Sequence, residues 1–278
     1  MLRNHSYLIN GNFDQVISVF DRGFSYGDGV FRTMKIRNGL PVSWPFHYQK
    51  LVADCAVIGI VCPSAELLMS DLQKLFEKEL FSEDLTQVAK IIITRGEGER
   101  GYAPPVITVP TRVVIKSDLP HYAQSNYDQG VQLHVCDIRL AAQPKLAGIK
   151  HLNRLENVLA RMEWRDDAIF DGLLLDQSGN VIECTMSNMF ARFGKELFTP
   201  DLSLCGVSGI TRQRILGLGR VLDLEIEVKS LTLEQLLQAD EVIICNSLFG
   251  VFQVTQINHK VWSQQALAAK IRAIVAND

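Results

Sequence analysis

The sequence predicts a mixed α/β protein of two domains. Strand-type and helix-type apolar periodicities interleave along all 278 residues. Asn-Gly pairs sit between apolar runs, where tight hairpins need them. Apolar periodicity lapses at "SDLPHYAQSN", residues 117–126, and turn formers replace it. A boundary there divides the chain into residues 1–120 and residues 121–278. The balance of 47% hydrophobic and 21% charged residues is that of a folded chain with a sizeable core. A formal net charge of −3 excludes the broad basic field that nucleic acids demand.

The elements follow in order. "YLINGNF" and "FRTMKIRNGLPVSW" are hairpins turning at Asn10-Gly11 and Asn38-Gly39. "HYQKLVADCAVIGI" and "SAELLMSDLQKLFEKELF" are helices, the second opened by Ser64 with Glu66 behind it. "VAKIIITRGEGERGY" is a strand entering a glycine-rich loop, and "TRVVIKSDLP" is a further strand. In the second half, "GVQLHVCDIRL" is a strand. Leu152, Leu155, Leu159 and Met162 then fall at helical spacing, which predicts an amphipathic helix over most of residues 147–161. "DGLLLDQSGNVIECTMSNMFARF" is a series of strands with a turn at Ser178-Gly179-Asn180. "GITRQRILGLGRVL" is a helix entered from glycine, "LTLEQLLQADEVIICNSLFGVFQV" a helix and a buried strand, and "SQQALAAKIRAIVA" a last helix opened by Ser263.

Several chemistries are excluded by their missing signatures. The histidines are scattered, with no H-x-x-x-H and no Cys/His cluster, so no metal site is expected. There is no G-x-S-x-G elbow and no phosphate loop ending in Gly-Lys. "GEGERG" lacks the helix a dinucleotide site needs after it, and by itself reads as a flexible loop. The six cysteines form no C-x-x-C pair and read as reduced thiols. No apolar run reaches the ~18 residues of a membrane span, and no secretory h-region opens the chain. A cytoplasmic protein without membrane or nucleic-acid partners is expected.

What remains is a set of polar residues at element ends. Lys150 follows the small apolar "AGI". Glu183 lies in "NVIECTMSN", "SGITR" (208–212) opens a helix, and "CNSLFG" (245–250) ends a strand with Asn246 and Ser247. Singly these read as a snorkelling lysine, an exposed strand carboxylate, a capping threonine and a polar strand end. Jointly they match the needs of pyridoxal phosphate. Its aldehyde takes an amine, its ring nitrogen a carboxylate, and its phosphate a helix start with hydroxyls.

At these residues the chain resembles the fold-type IV pyridoxal-phosphate enzymes. That family includes branched-chain and D-amino acid aminotransferases and aminodeoxychorismate lyases. "FDRGFSYGDGVFRTMKI" (20–36), "VIECTMSNMF" (181–190), "GITRQ" (209–213) and "ADEVIICNS" (239–247) carry the resemblance in order over nearly the whole chain. "LAGIKHLNRLENVLAR" (146–161), "TRGEGERGYAPP" (94–105), and Asn246 with Ser247 are most similar to the lyase branch.

The resemblance implies a small N-terminal α/β domain and a larger C-terminal pseudo-barrel domain carrying a Schiff-base lysine. It implies a homodimer and a lyase converting 4-amino-4-deoxychorismate to 4-aminobenzoate and pyruvate. The alternative on the same fold is an aminotransferase of branched-chain or D-amino acids. By position, Lys150 is the Schiff-base lysine and proton acceptor, and Glu183 the partner of the ring nitrogen. Ile210, through its backbone, and Thr211 seat the phosphate, with Asn246 and Ser247 at the same cofactor. Lys50, in "HYQKL", stands where the family places an arginine against the phosphate. It keeps the charge and loses the bidentate fork. Thr33 and Phe31 line the substrate pocket, Thr33 also as a catalytic candidate, and Arg100 in "GERGY" meets the substrate carboxylates.

Overall fold

The computed structural model describes residues 6–13, 15–77 and 86–276. The chain folds as two compact units. One runs to Pro120 and includes Ile149–Asn153. The other comprises His121–Gly148 and the chain from Arg154 onward.

The first unit holds β1 (Tyr7–Ile9), α1 (Arg22–Tyr26), β2 (Gly29–Arg37), β3 (Leu40–Pro41), α2 (Trp44–Val57), α3 (Ala65–Phe76), β4 (Thr86–Thr94) and β5 (Arg112–Asp118). Its five strands form one antiparallel sheet in the order β1-β5-β4-β2-β3. Both Asn-Gly hairpins form, with φ of 52° and 80° at Asn10 and Gly11 and 51° and 75° at Asn38 and Gly39. These positive pairs match the right-handed twist of the flanking strands. Along β2, Val30, Met34 and Ile36 join Leu51, Cys55, Leu68 and Leu72 in the core. Phe31, Thr33 and Lys35 alternate with them and take the other face.

The first of the two helices differs from the sequence expectation in its bounds. α2 starts earlier, at Trp44 with Pro45 in the first turn, where its fixed φ suits a helix start. α3 opens as expected at Ser64, whose hydroxyl accepts from Leu67 N–H. The expected continuation through residues 78–81 lies outside the described residues.

The second unit holds α4 (Gln124–Asp128), β6 (Val131–Leu140), α5 (Leu155–Arg161), β7 (Ile169–Asp176), β8 (Val181–Cys184), β9 (Asn188–Phe193), β10 (Glu196–Thr199), α6 (Ile210–Leu216), α7 (Gly219–Leu222), β11 (Glu225–Val228), α8 (Leu233–Leu237), β12 (Glu241–Asn246), β13 (Gly250–Ile257), β14 (Lys260–Val261) and α9 (Leu267–Ala276). Its mixed sheet has the order β11-β10-β9-β12-β13-β6-β7-β8, with β14 on β13. Val242, Ile244, Phe252 and Val254 pack one side with Leu173 and Leu236. Ile243, Cys245 and Val251 pack the other with Ile215 and Ile271. Such two-sided burial explains why "EVIIC" reads as a continuous apolar run.

Three helices depart from expectation. The helix through 147–161 is confined to Leu155–Arg161. Residues 149–153 are instead pinned to β2, which keeps them out of a helix. Leu155, Leu159 and Met162 do fall on one stripe, but they are exposed rather than buried. "GITRQRILGLGRVL" splits at Gly217 into α6 and α7, consistent with glycine's low helix propensity. The last helix begins at Leu267, not at Ser263. The pinned segment also carries Lys150 into the first unit, although it lies beyond the boundary drawn near residue 120.

Candidate active site

In the first unit, the reactive-lysine candidate is placed by β-type pairing. Phe31 N–H donates to Lys150 C=O at 2.9 Å and Leu152 N–H to Gly29 C=O at 3.0 Å. His151 thereby lies against Val30 as an antiparallel bridge. Lys150 Nζ stands 4.8 Å from the Phe31 ring centroid. Lys90 Nζ stands at the same 4.8 Å from that ring. Lys90 lies directly opposite Thr33 across the β2–β4 ladder, so the two share a face. Burial draws the ammonium groups of Lys90 and Lys35 below the usual lysine value, and Arg37 adds to the effect on Lys35.

Behind that face lies a cluster of charges. Asp54 is fully buried and pairs with both Arg32 and Lys50. Its Oδ2 also accepts the Lys150 backbone N–H at 3.2 Å. Lys50 reaches Asp54 from one helical turn earlier. Burial, reinforced by the Arg32 charge, pushes Lys50 down to about 7. Burial lowers Arg32 to about 10.

The glycine-rich loop is clamped from within this unit. Arg22 donates to the carbonyls of Gly101 at 2.9 Å and Tyr102 at 3.0 Å. Asp28 ties Arg22 to Arg95 through contacts of 2.9 and 2.7 Å. Arg100 itself is exposed on that loop.

In the second unit, Glu183 on β8 is buried and its Oε2 accepts Val207 N–H at 2.8 Å. Asn188, the first residue of β9, organises the surroundings. Its amide donates to Val207 C=O at 2.8 Å and approaches Glu183 Oε2 at 3.5 Å. Its Oδ1 accepts Gly209 N–H at 3.0 Å. Gly209 caps α6, and a Cβ there would stand 2.3 Å from Asn188 Oδ1. Any larger residue at 209 therefore collides with the group that holds the helix start.

Ile210 and Thr211 follow as the first two residues of α6, both buried. N–H groups at those positions have no intrahelical acceptor. Arg154 is half-buried in the same unit, and its burial lowers its guanidinium while Glu183 and Glu156 favour its cation. Asn246 closes the β12–β13 turn. Its Oδ1 accepts from Leu248 N–H at 2.8 Å and Phe249 N–H at 2.9 Å, and its amide reaches Met186 C=O at 3.2 Å. Ser247 is the next turn residue, half-buried.

The structure thus gathers Lys150, Phe31 and Thr33 on one sheet face of the first unit, with Lys50 on Asp54 beside them. Within the second unit, Glu183 and the start of α6 are joined through Asn188. Sequence reading missed Asp54, Arg32, Lys90 and Asn188. Each left a signal. Asp54 is a carboxylate four residues after Lys50 on an apolar helix face, and Arg32 interrupts the core alternation of β2. Lys90 sits inside an apolar strand, and Asn188 lies within "VIECTMSNMF".

Among the described residues no group of three or more His, Cys, Asp or Glu could hold a metal ion. No described helix is long and apolar enough to cross a membrane.

Residues 29–257 match the family model of amino-transferase class IV. The chain is 35% identical over 252 residues to an aminodeoxychorismate lyase of Vibrio harveyi, covering 91% of each chain. It superposes on the crystal structure of 4-amino-4-deoxychorismate lyase from Pseudomonas aeruginosa with a TM-score of 0.90 and 39% identity, over 98% of each chain. The Escherichia coli branched-chain amino acid aminotransferase shares the fold, with a TM-score of 0.86 at 22% identity over 98% of this chain and 93% of that one.

Proposed function

This chain belongs to the class IV aminotransferase family, and we propose that it is a pyridoxal-phosphate-dependent lyase forming 4-aminobenzoate and pyruvate from 4-amino-4-deoxychorismate. The observation that carries the cofactor chemistry is Glu183, a buried carboxylate held by the Val207 N–H. Its negative charge favours nearby cations, as it does the Arg154 guanidinium, and the same charge suits a protonated pyridine. Each unit by itself carries donors of the kind the rest of the cofactor needs: in the first a lysine against the Phe31 ring, in the second the first N–H groups of α6 for a phosphate. The branch is supported by the 35–39% identity to lyases, against 22% for the branched-chain aminotransferase.

When bound, pyridoxal phosphate supplies an electrophilic carbon for amines and an electron sink for the carbon next to nitrogen. Lys150 would hold the cofactor through its ε-amine and would accept the proton from the substrate carbon bearing nitrogen. Glu183 holds the pyridine nitrogen protonated. Ile210 N–H and the Thr211 hydroxyl hold the phosphate, Lys50 contributes positive charge, and Asn246 and Ser247 shape the strand end at the same group. Thr33, on the Phe31 face of β2, supplies a hydroxyl for the departing enolpyruvyl oxygen. Lys90, facing Thr33, and Arg100 on the clamped loop meet the two substrate carboxylates.

We assign the active form to a homodimer in the cytoplasm. Supporting the dimer, Leu155 on α5 is 75% exposed and Met162 just after it 70%, with Val158 and Leu159 beside them. A stripe of that kind is costly to leave in water. Light scattering at dilute concentration tests the dimer.

The function is tested by adding 4-amino-4-deoxychorismate to the loaded protein and following 4-aminobenzoate and pyruvate. A parallel reaction contains branched-chain or D-amino acids with 2-oxoglutarate. Equimolar 4-aminobenzoate and pyruvate support the reading. Glutamate formation without 4-aminobenzoate assigns the chain to the aminotransferases.

A further inference from the structure

Asp54 is a carboxylate where the apolar face of α2 calls for an aliphatic residue. It shares that face with His47, Leu51 and Cys55 and is 0% exposed. Burying a carboxylate is expensive, and a buried ion pair is weak evidence for stability. Its contacts indicate what it does instead. One oxygen pairs with Lys50, and the other pairs with Arg32 and accepts the Lys150 backbone N–H at 3.2 Å.

The geometry at Lys150 makes this bond distinctive. The segment 149–153 is only five residues long and is remote in sequence from the rest of its unit. Pairing with β2 uses the Lys150 carbonyl and the Leu152 N–H. Those two bonds fix residues 150 and 152 along the strand. The Lys150 N–H is not used by the ladder, and it goes to Asp54. With both its carbonyl and its N–H fixed, residue 150 cannot rotate its peptide planes, and the Cα–Cβ direction of the lysine is set. Arg32 and Lys50 in turn hold the carboxylate aimed.

We propose that Asp54 is the positioning residue of Lys150, fixing its backbone so that the ε-amine is presented for covalent attachment. This rests on the assignment of Lys150 as the amine that bonds the cofactor. It concerns the chain's own geometry and is read out in the speed of attachment rather than in turnover.

The test separates positioning from mere packing. Asp54→Ala alone strands Arg32 in the interior, so it is paired with Arg32→Gln. Two double variants are compared: Arg32→Gln/Asp54→Ala, which removes the acceptor for the Lys150 N–H, and Arg32→Gln/Asp54→Asn, which retains one in the amide oxygen. Circular dichroism melts check that both fold. Pyridoxal phosphate is added to the apoproteins, and the visible band of the lysine-bound cofactor is followed in time. Borohydride reduction and peptide mapping identify the lysine in the wild type. The expected result is attachment at least tenfold slower in the alanine pair, as follows from losing a hydrogen bond to a charged group. The asparagine pair recovers to within about threefold of wild type. Wild-type attachment rates in a folded alanine pair overturn the proposal. So does equal slowing in both folded pairs, because the retained acceptor then does nothing. Should either pair fail to fold, the single Asp54→Asn variant is measured, and attachment there beyond tenfold slower than wild type also overturns it. A wild-type tag on another lysine overturns the assignment of Lys150 itself, and is read independently of the variants.

Discussion

Gly209→Ala is the substitution whose cost the geometry sets most directly. Gly209 has φ −72° and ψ 153°, a conformation alanine adopts without strain. Backbone preference therefore favours the change by about 0.4–1 kcal/mol through the unfolded chain. Against this, the new Cβ would lie 2.3 Å from Asn188 Oδ1. Asn188 cannot yield freely, because it accepts from Gly209 N–H at 3.0 Å and donates to Val207 C=O at 2.8 Å. Displacing it forfeits one buried and one partly buried hydrogen bond, at about 1–2 kcal/mol each once unsatisfied partners are counted. The net expectation is a loss of about 1–3.5 kcal/mol. Urea unfolding of wild type, Gly209→Ala, Asn188→Ala and the double variant measures it as a cycle. In the Asn188→Ala background the collision is gone, and Gly209→Ala becomes neutral or slightly stabilising. A coupling below about 0.5 kcal/mol refutes the steric argument.

Three further outcomes are expected. Burial works against ionisation of Asp28, but the hydrogen bonds and charges of Arg95 and Arg22 outweigh it and hold the carboxyl below its ordinary 3.8. Its folded value is depressed, so its stabilisation is full above that ordinary value and is lost as pH falls toward the folded one. The stability difference between wild type and Asp28→Asn accordingly shrinks on acidification, and urea midpoints from about pH 6 to about pH 2 that run parallel contradict this. Lys50→Ala weakens cofactor binding about ten- to a hundredfold, Thr211→Val costs on the order of 1 kcal/mol, and Lys50→Arg binds at least as tightly as wild type. Fluorescence titration gives the order, and wild-type affinity in Lys50→Ala removes Lys50 from the phosphate site. Glu183→Gln keeps the shape and removes the charge at the ring nitrogen, so the rate of 4-aminobenzoate formation falls. Unchanged turnover assigns that role to another group.

The sequence was most legible where local rules decide. Asn38-Gly39 specified its hairpin, Ser64 opened its helix, and the strand run "EVIIC" announced two-sided burial. It was least legible where distant segments compete for the same backbone. Leu152, Leu155, Leu159 and Met162 follow a helical period, yet Leu152 is hydrogen-bonded to Gly29 on β2, and that pairing overrides local propensity. The same pairing brings Lys150 into the first unit across a linear boundary near residue 120.

Among the candidate site residues, Lys150 and Glu183 could be picked out because charge on an apolar run demands a reason. Asp54 and Asn188 could not be weighed from sequence alone. Asp54 acts through a bond to a residue 96 positions away, and Asn188 through the carbonyl of Val207 and the N–H of Gly209. Long-range partners of that sort leave no periodic trace.

The account turns on Lys150 as the amine that holds the cofactor. Purified protein loaded with pyridoxal phosphate is reduced with borohydride, digested, and mapped by mass spectrometry. A single pyridoxyl-lysine at Lys150, together with loss of the visible band in Lys150→Ala, is the result predicted. A pyridoxyl group on Lys50, Lys90 or Lys145 with Lys150 unmodified would contradict it.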